Sequence, residues 1–259
     1  MPPRRADLAV GIPVLAAVGL QLAYPLIHGS ARDTLTVATV VVVATASIAH
    51  AGLTARWRGL AGCAAAAGIG FGFELVGVHT GFPFGTYHYT GTLGWQIAGV
   101  PIVAGLAWTM LAWPCALVAR RLGGSAAVAR VAIGGWALAA WDLYLDPQMV
   151  AAGHWRWADP SPHLPGVPAV PLTNYAGWLL ASTAISLALQ GILVRGEPTD
   201  DRWMLALFLW TYASSVVGLA AFLHLAGAAF WGALGMGLVA LPLAARLVGG
   251  PLVARVRPA

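Results

Sequence analysis

Apolar runs of about 20 residues follow one another along nearly the whole chain, and each is long enough to cross a hydrocarbon core of about 30 Å. In lipid the backbone of such a run must pair its polar groups internally, as a helix does. Composition agrees: 59% of the 259 residues are hydrophobic and 9% are charged, against about 25% charged in a soluble domain. The mean hydropathy is +0.77. The expected fold is therefore all-α, a polytopic membrane helical bundle forming one integral membrane domain over 1–259 with no soluble domain. The first run, Leu8 to His28, has spanning length and lacks a small-x-small cleavage site, so it reads as a span and not as a signal peptide.

Eight spans are expected, at about 8–28, 34–53, 59–80, 97–119, 126–146, 172–194, 203–224 and 228–248. The fifth carries Arg130 in its first turns, where the long stem can reach the interface. All 14 basic residues are arginines. With the N-terminus inside, 12 of them fall in cytoplasmic segments, and only Arg32 and Arg156 fall opposite. That asymmetry predicts N-in and C-in. The high pI of about 9.8 then needs no nucleic-acid partner, because the arginines are membrane anchors. Cys63 and Cys115 form no metal or redox pattern and read as small packing residues.

This topology sends the third and fifth spans outward. The third carries Glu74 in Gly70-Phe-Gly-Phe-Glu74-Leu-Val-Gly-Val-His79, and the loop Gly81-Phe-Pro-Phe-Gly-Thr-Tyr87-His88-Tyr89 follows. The fifth ends in Trp141-Asp142-Leu-Tyr144-Leu-Asp146-Pro147. The loops after them, about 81–96 and 147–171, share the non-cytoplasmic face. An intramembrane carboxylate is costly unless it faces the bundle interior, finds a partner or keeps its proton. Glu74 reads as either a functional acid or an interhelical hydrogen-bonding group. His79, five residues on, lies about 140° round a helix from it, which disfavours pairing. Asp142 and Asp146 are i, i+4 and share a face. They suit a proton-sharing acid pair, with capping near the membrane surface as the alternative for Asp146. Pro147 is expected to stop the helix.

Aromatic residues surround the acids: Phe82, Phe84, Tyr87 and Tyr89 beside the first, and Trp141, Tyr144, Trp155 and Trp157 beside the second. Singly they fit an interfacial belt. Together with acids they suggest a pocket whose ring faces stabilise a cation. Asn174 caps the sixth span or orients a polar group. The His/Asp/Glu set lacks the clustered histidines of a catalytic metal site, so no metal and no cofactor is expected. Glycines at 68, 70, 72, 77, 81, 232, 235 and 237 read as close-packing positions.

The motif set Gly81–Tyr89, Gly99-Val-Pro101, Trp141–Met149, His154-Trp155-x-Trp157 and Asn174-Tyr-x-Gly177-Trp178, spread over about 68–180, resembles the carotenoid biosynthesis family of carotenoid 1′,2′-hydratases and bisanhydrobacterioruberin hydratases. The resemblance implies a cofactor-independent hydro-lyase. It would add water to the terminal C1=C2 bond of an acyclic carotenoid end group and leave a tertiary alcohol. It implies a long polyene substrate within the bilayer, surrounding lipid, contact with other carotenoid enzymes, and a multi-pass location in a bacterial inner membrane. On that footing Glu74, Asp142, Asp146, His88 and Tyr87 are the catalytic candidates. Phe82, Phe84, Tyr89, Trp141, Tyr144, Trp155, Trp157 and Asn174 are the substrate-binding ones. A carotenoid cyclase or other prenyl-modifying enzyme would use the same acid-and-aromatic logic. A proton-coupled transporter would also carry intramembrane acids, but the acids here cluster at one face and no internal repeat is visible.

Overall fold

A computed structural model describes residues 3–193 and 200–249, and among these the chain is helical apart from four very short strands and the loops. Arg195, Glu197, Arg255 and Arg257 of the charge pattern lie outside the described residues. The helices are α1 (Pro3–Ala23), α2 (Ser30–Thr80), α3 (Val103–Gly123), α4 (Ala127–Ala151), α5 (Leu172–Leu193), α6 (Arg202–Val217) and α7 (Ala226–Gly249). Among the described residues, six helical stretches are long and apolar enough to cross a membrane, which makes this a multi-pass membrane protein. The remaining helix, α4, is the one that carries Arg130, Asp142 and Asp146.

The 51 residues of α2 would far exceed a bilayer if straight. The helix breaks at Arg56 (φ 54°, ψ −138°), and its second limb, 57–80, folds back along its first, 30–55. Gly59 makes the reversal possible: a Cβ there would lie 2.2 Å from the Ala51 carbonyl oxygen. The two limbs correspond to the second and third expected spans.

Two boundaries differ from expectation. The fourth span is expected from 97, but α3 starts at Val103. Before it, β2 (Gln96–Ile97) and β3 (Val100–Pro101) form a tight hairpin through Ala98 and Gly99, both at positive φ. Such paired left-handed residues match the strand twist in a two-residue turn. The stop at Pro147 does not occur either. The helix runs on to Ala151, and the Ala152 amide donates to the Gln148 carbonyl at 2.9 Å. Packing inside a bundle tolerates a missing amide donor, and Pro147 and Met149 are both buried. Finally, α6 widens after Val217 into a π turn over Gly218–Phe222.

Helix α3 is the centre of the bundle, with every residue from Trp108 to Ala119 buried. Polar side chains tie its neighbours to it. Ser47 donates to the Met110 carbonyl at 2.8 Å, Thr109 to the Cys63 carbonyl at 3.0 Å, and Gln190 to the Ala116 carbonyl at 3.1 Å. Both α3 and α5 pack on α2 and on α4, while direct packing between α2 and α4 is marginal at most. The third and fifth expected spans are thus separated by α3 and α5. Their facing sides look into the space those helices enclose.

The two long loops join over that space. β1 (Tyr87–Tyr89) pairs antiparallel with β4 (Trp155–Trp157), in the register Tyr87↔Trp157, His88↔Arg156 and Tyr89↔Trp155. Side chains alternate across a strand. Tyr87, Tyr89, Trp155 and Trp157 therefore share one face, and His88 and Arg156 share the other.

Candidate active site

A cavity of about 630 Å³ lies beneath this pair of strands, within the usual range for a ligand site. Glu74, Phe84, Tyr87, Tyr89, Trp108, Trp141, Tyr144, Asp146, Trp155, Trp157, Asn174 and Trp178 all line it. Glu74 and Asp146 are the charged side chains in its wall.

Glu74 reaches the cavity from the second limb of α2, and three donors converge on it. The Tyr87 hydroxyl donates to Oε2 at 2.5 Å and the Tyr89 hydroxyl to the same oxygen at 2.8 Å. The Trp108 indole donates to Oε1 at 3.1 Å. Burial first, and then the neighbouring Glu74 charge, push both tyrosines well above the ordinary phenol range, so they remain donors. His79 turns away, bonding to the Leu75 carbonyl through Nδ1 at 2.8 Å.

Asp142 and Asp146 come from one face of α4. Asn174 of α5 donates its amide to Oδ2 of Asp142 at 2.8 Å and to Oδ2 of Asp146. The Asn174 side chain thus binds acids and does not cap its helix. Both Oδ2 atoms accept from the same amide nitrogen, which sets the two carboxyls side by side. Asp146 lines the cavity, whereas Asp142 is fully buried behind it, with Oδ1 finding no protein partner among the described residues.

The aromatic wall is ordered by ring contacts. Trp108 stacks on Trp178 with centroids 4.0 Å apart and planes 24° apart. Trp141 meets Trp178 edge-on at 5.9 Å. Tyr87 lies 5.6 Å from Trp157, and Tyr89 lies 5.5 Å from Trp155. Phe84 is wedged between α2 and α5: a Cβ on Gly77 would lie 2.7 Å from its ring, and one on Gly177 only 2.6 Å away. Gly70 likewise admits Trp108, whose ring would meet a Cβ at 2.2 Å. Gly232 of α7 admits Tyr144 in the same way. Gly68 and Gly72, also expected to pack, are different: a Cβ at either would have nothing within 4 Å.

Two candidates do not join the site. His88 is exposed, because the strand register turns it to the outer face opposite Arg156. Phe82 is 62% exposed and lies outside the cavity wall. His154 is completely buried but serves the loop, with Nδ1 on Thr92 Oγ1 at 2.7 Å. Burial pushes its pKa down. His50, near the end of the first limb of α2, is buried in the bundle at 2% exposure and accepts the Trp113 indole at 3.0 Å. Trp108 and Trp178 line the cavity without having been named as site candidates. The signal for Trp108 is a tryptophan at mid-span, away from the interfacial belts, and that for Trp178 is its place in the Asn174-Tyr-x-Gly177-Trp178 motif.

The described residues thus form a multi-pass membrane helix bundle with carboxyls set into a cavity walled by aromatic rings. The chain belongs to the carotenoid biosynthesis protein family, whose sequence profile matches residues 34–243. It is similar to a bisanhydrobacterioruberin hydratase from Haloarcula japonica, with 36% identity over 121 residues. That match covers 45% of this chain and 40% of the relative's length. No solved structure matches the chain.

Proposed function

We propose that the protein is a carotenoid hydratase that adds water across the terminal C1=C2 bond of an acyclic end group. The observation that carries this reading is that Glu74 and Asp146 line one cavity walled by aromatic rings. Its chemistry needs a proton donor, a shelter for a cation and an acceptor for a proton from water. The similarity to a hydratase supports hydration over other uses of the same groups.

In this reading the aspartate pair holds the proton. Asn174 donates to both carboxyls at once, and a proton shared between them completes their hydrogen bonding. Asp146, at the cavity wall, transfers it to C2 as the double-bond electrons form the new C–H bond. C1 becomes a tertiary cation. The faces of Trp141, Trp155, Trp157 and Trp178 and the Glu74 carboxylate offset its charge. A water lone pair then forms the C1–O bond, and Glu74 takes the released proton. The catalyst is restored once that proton returns to the aspartates. Glu74 suits the acceptor role because Tyr87, Tyr89 and Trp108 all donate to it. His88 has no part in this scheme.

The arginine distribution supports eight crossings with both termini inside, α2 supplying two of them through its bend at Arg56. The strand-roofed cavity would then sit near the non-cytoplasmic surface, where a newly made alcohol meets water.

The test is expression in a host that accumulates acyclic carotenoids, with the pigments analysed by mass. Hydration adds the mass of one water per reacted end. A cyclase would leave the mass unchanged, and that result would replace this reading.

A further inference from the structure

We infer that the cavity opens sideways into the bilayer between the ends of α1 and α6, and that the unreacted polyene stem lies in this opening during turnover. This rests on the carotenoid reading of the site. Helices α1 and α6 are pinned together at two levels, one near the start of both and one at the last turn of α1. The Trp203 indole donates to Asp7 Oδ1 at 2.5 Å, and the Trp210 indole donates to Gln21 Oε1 at 2.6 Å. Beyond that second pin the two chains part. The 3₁₀ turn Tyr24–Leu26 after α1 packs on α2, whereas the π turn Gly218–Phe222 after α6 packs on α7.

The gap left between them communicates with the cavity. Leu22 and Leu26 on one side, and Val217 and Phe222 on the other, line the cavity while being 60%, 73%, 56% and 54% exposed. A residue that is both wall and surface marks a rim. All four are apolar, and the charged wall groups belong to α2 and α4 instead. In a membrane helix bundle such a rim faces acyl chains, not water. A π turn is a wider turn than an α-helical one and recurs at functional sites; here it forms one jamb of the opening.

The chemistry gives the opening its occupant. A conjugated polyene is a stiff rod, so its length beyond the reacting end group must leave the cavity in one direction. An apolar gap facing lipid accepts that stem at no desolvation cost, which a polar exit would impose. One end group is then read at a time. A substrate with two acyclic ends is processed in two separate binding events, with the singly hydrated pigment as a free intermediate.

A diazirine amino acid placed at Val217 of the full chain, in membranes of a host making an acyclic carotenoid, tests this. Irradiation turns the probe into a carbene that inserts into a neighbouring C–H bond. The same probe at Leu238, 68% exposed on α7 and outside the cavity wall, is the lipid-facing control. The expected result is carotenoid adduct at 217 exceeding that at 238 by roughly an order of magnitude. Equal labelling, or lipid adducts alone at 217, overturns the portal. Should the 217 variant fail to accumulate, the probe at Leu22 gives the same readout. Adduct at the rim with no hydrated product in wild type would keep the portal and remove the hydratase reading. Hydrated product without rim adduct would do the reverse.

Discussion

Tyr87 donates its hydroxyl to Glu74 over 2.5 Å, fastening a loop strand to a membrane helix at the acid itself. Tyr89, two residues on, donates to the same oxygen from the same strand face. The roof of the cavity and the orientation of its carboxylate are one structural unit.

Tyr87→Phe keeps the ring and removes the donor. A hydrogen bond to a charged group contributes about 1.5–3 kcal/mol, so turnover should fall roughly ten- to a hundredfold, with the bundle still folded. Tyr89→Phe should do less, because its longer bond leaves Tyr87 in place. Pigment conversion in isolated membranes measures both. Equal, wild-type rates would show that Glu74 needs no such fastening.

Asp146→Asn should lower hydration by about 10²-fold or more, the range for loss of a positioned acid. Asp142→Asn should also fall, because the pair shares its proton. The double variant should be little worse than either single one, as expected of groups acting as a unit. Full activity of Asp142→Asn would leave Asp146 as the sole acid.

Asn174→Leu removes the donor that both aspartates share and keeps the branched shape of the side chain. Leaving buried carboxyls without it costs about 1–3 kcal/mol, read as a lower thermal midpoint in detergent. An unchanged midpoint would mean that the aspartates satisfy one another.

Gly70→Ala and Gly68→Ala each add one methyl to α2, two residues apart. The first would drive a Cβ to 2.2 Å from the Trp108 ring, and the second meets nothing within 4 Å. Overpacking costs about 1–3 kcal/mol. Gly70→Ala should therefore destabilise the protein and tilt Trp108 off Glu74, while Gly68→Ala stays near neutral. Comparable losses in the two would contradict this packing.

His88→Ala should leave turnover unchanged within about twofold, since a surface position away from buried networks shifts stability by about 0.5 kcal/mol or less. A large loss would mean that the outer face of β1 takes part in the reaction.

Much of the helical layout was legible because its signals are local. Hydrophobic length marks the spans, and the i, i+4 spacing puts Asp142 and Asp146 on one face. Glu74 stood out because a carboxylate in an apolar run needs a reason. The helix start after Gly99 and the continuation past Pro147 were not legible. Each depends on a hairpin or on burial that single residues do not announce.

His88 and Phe82 group with Tyr87 in the sequence because they are close along the chain. The outward placement of His88 follows from pairing with Trp155–Trp157, some 70 residues away, as the register of β1 and β4 records. A strand's inner face is undefined until its partner is known. Trp108 and Trp178 enter the site for a related reason: their stacking joins α3 to α5, and no periodicity within one helix reports what faces it.

By itself the sequence determined a membrane-spanning helical chain, the acids it must shelter and the aromatic loops beside them. Those depend on transfer free energies and helical periodicity, which act over a few turns. Only the tertiary structure decided that Glu74 and Asp146 meet at one cavity although direct packing of α2 on α4 is marginal at most. That meeting is set by α3 and α5 packing between them, and contacts between helices are chosen by shape over the whole bundle.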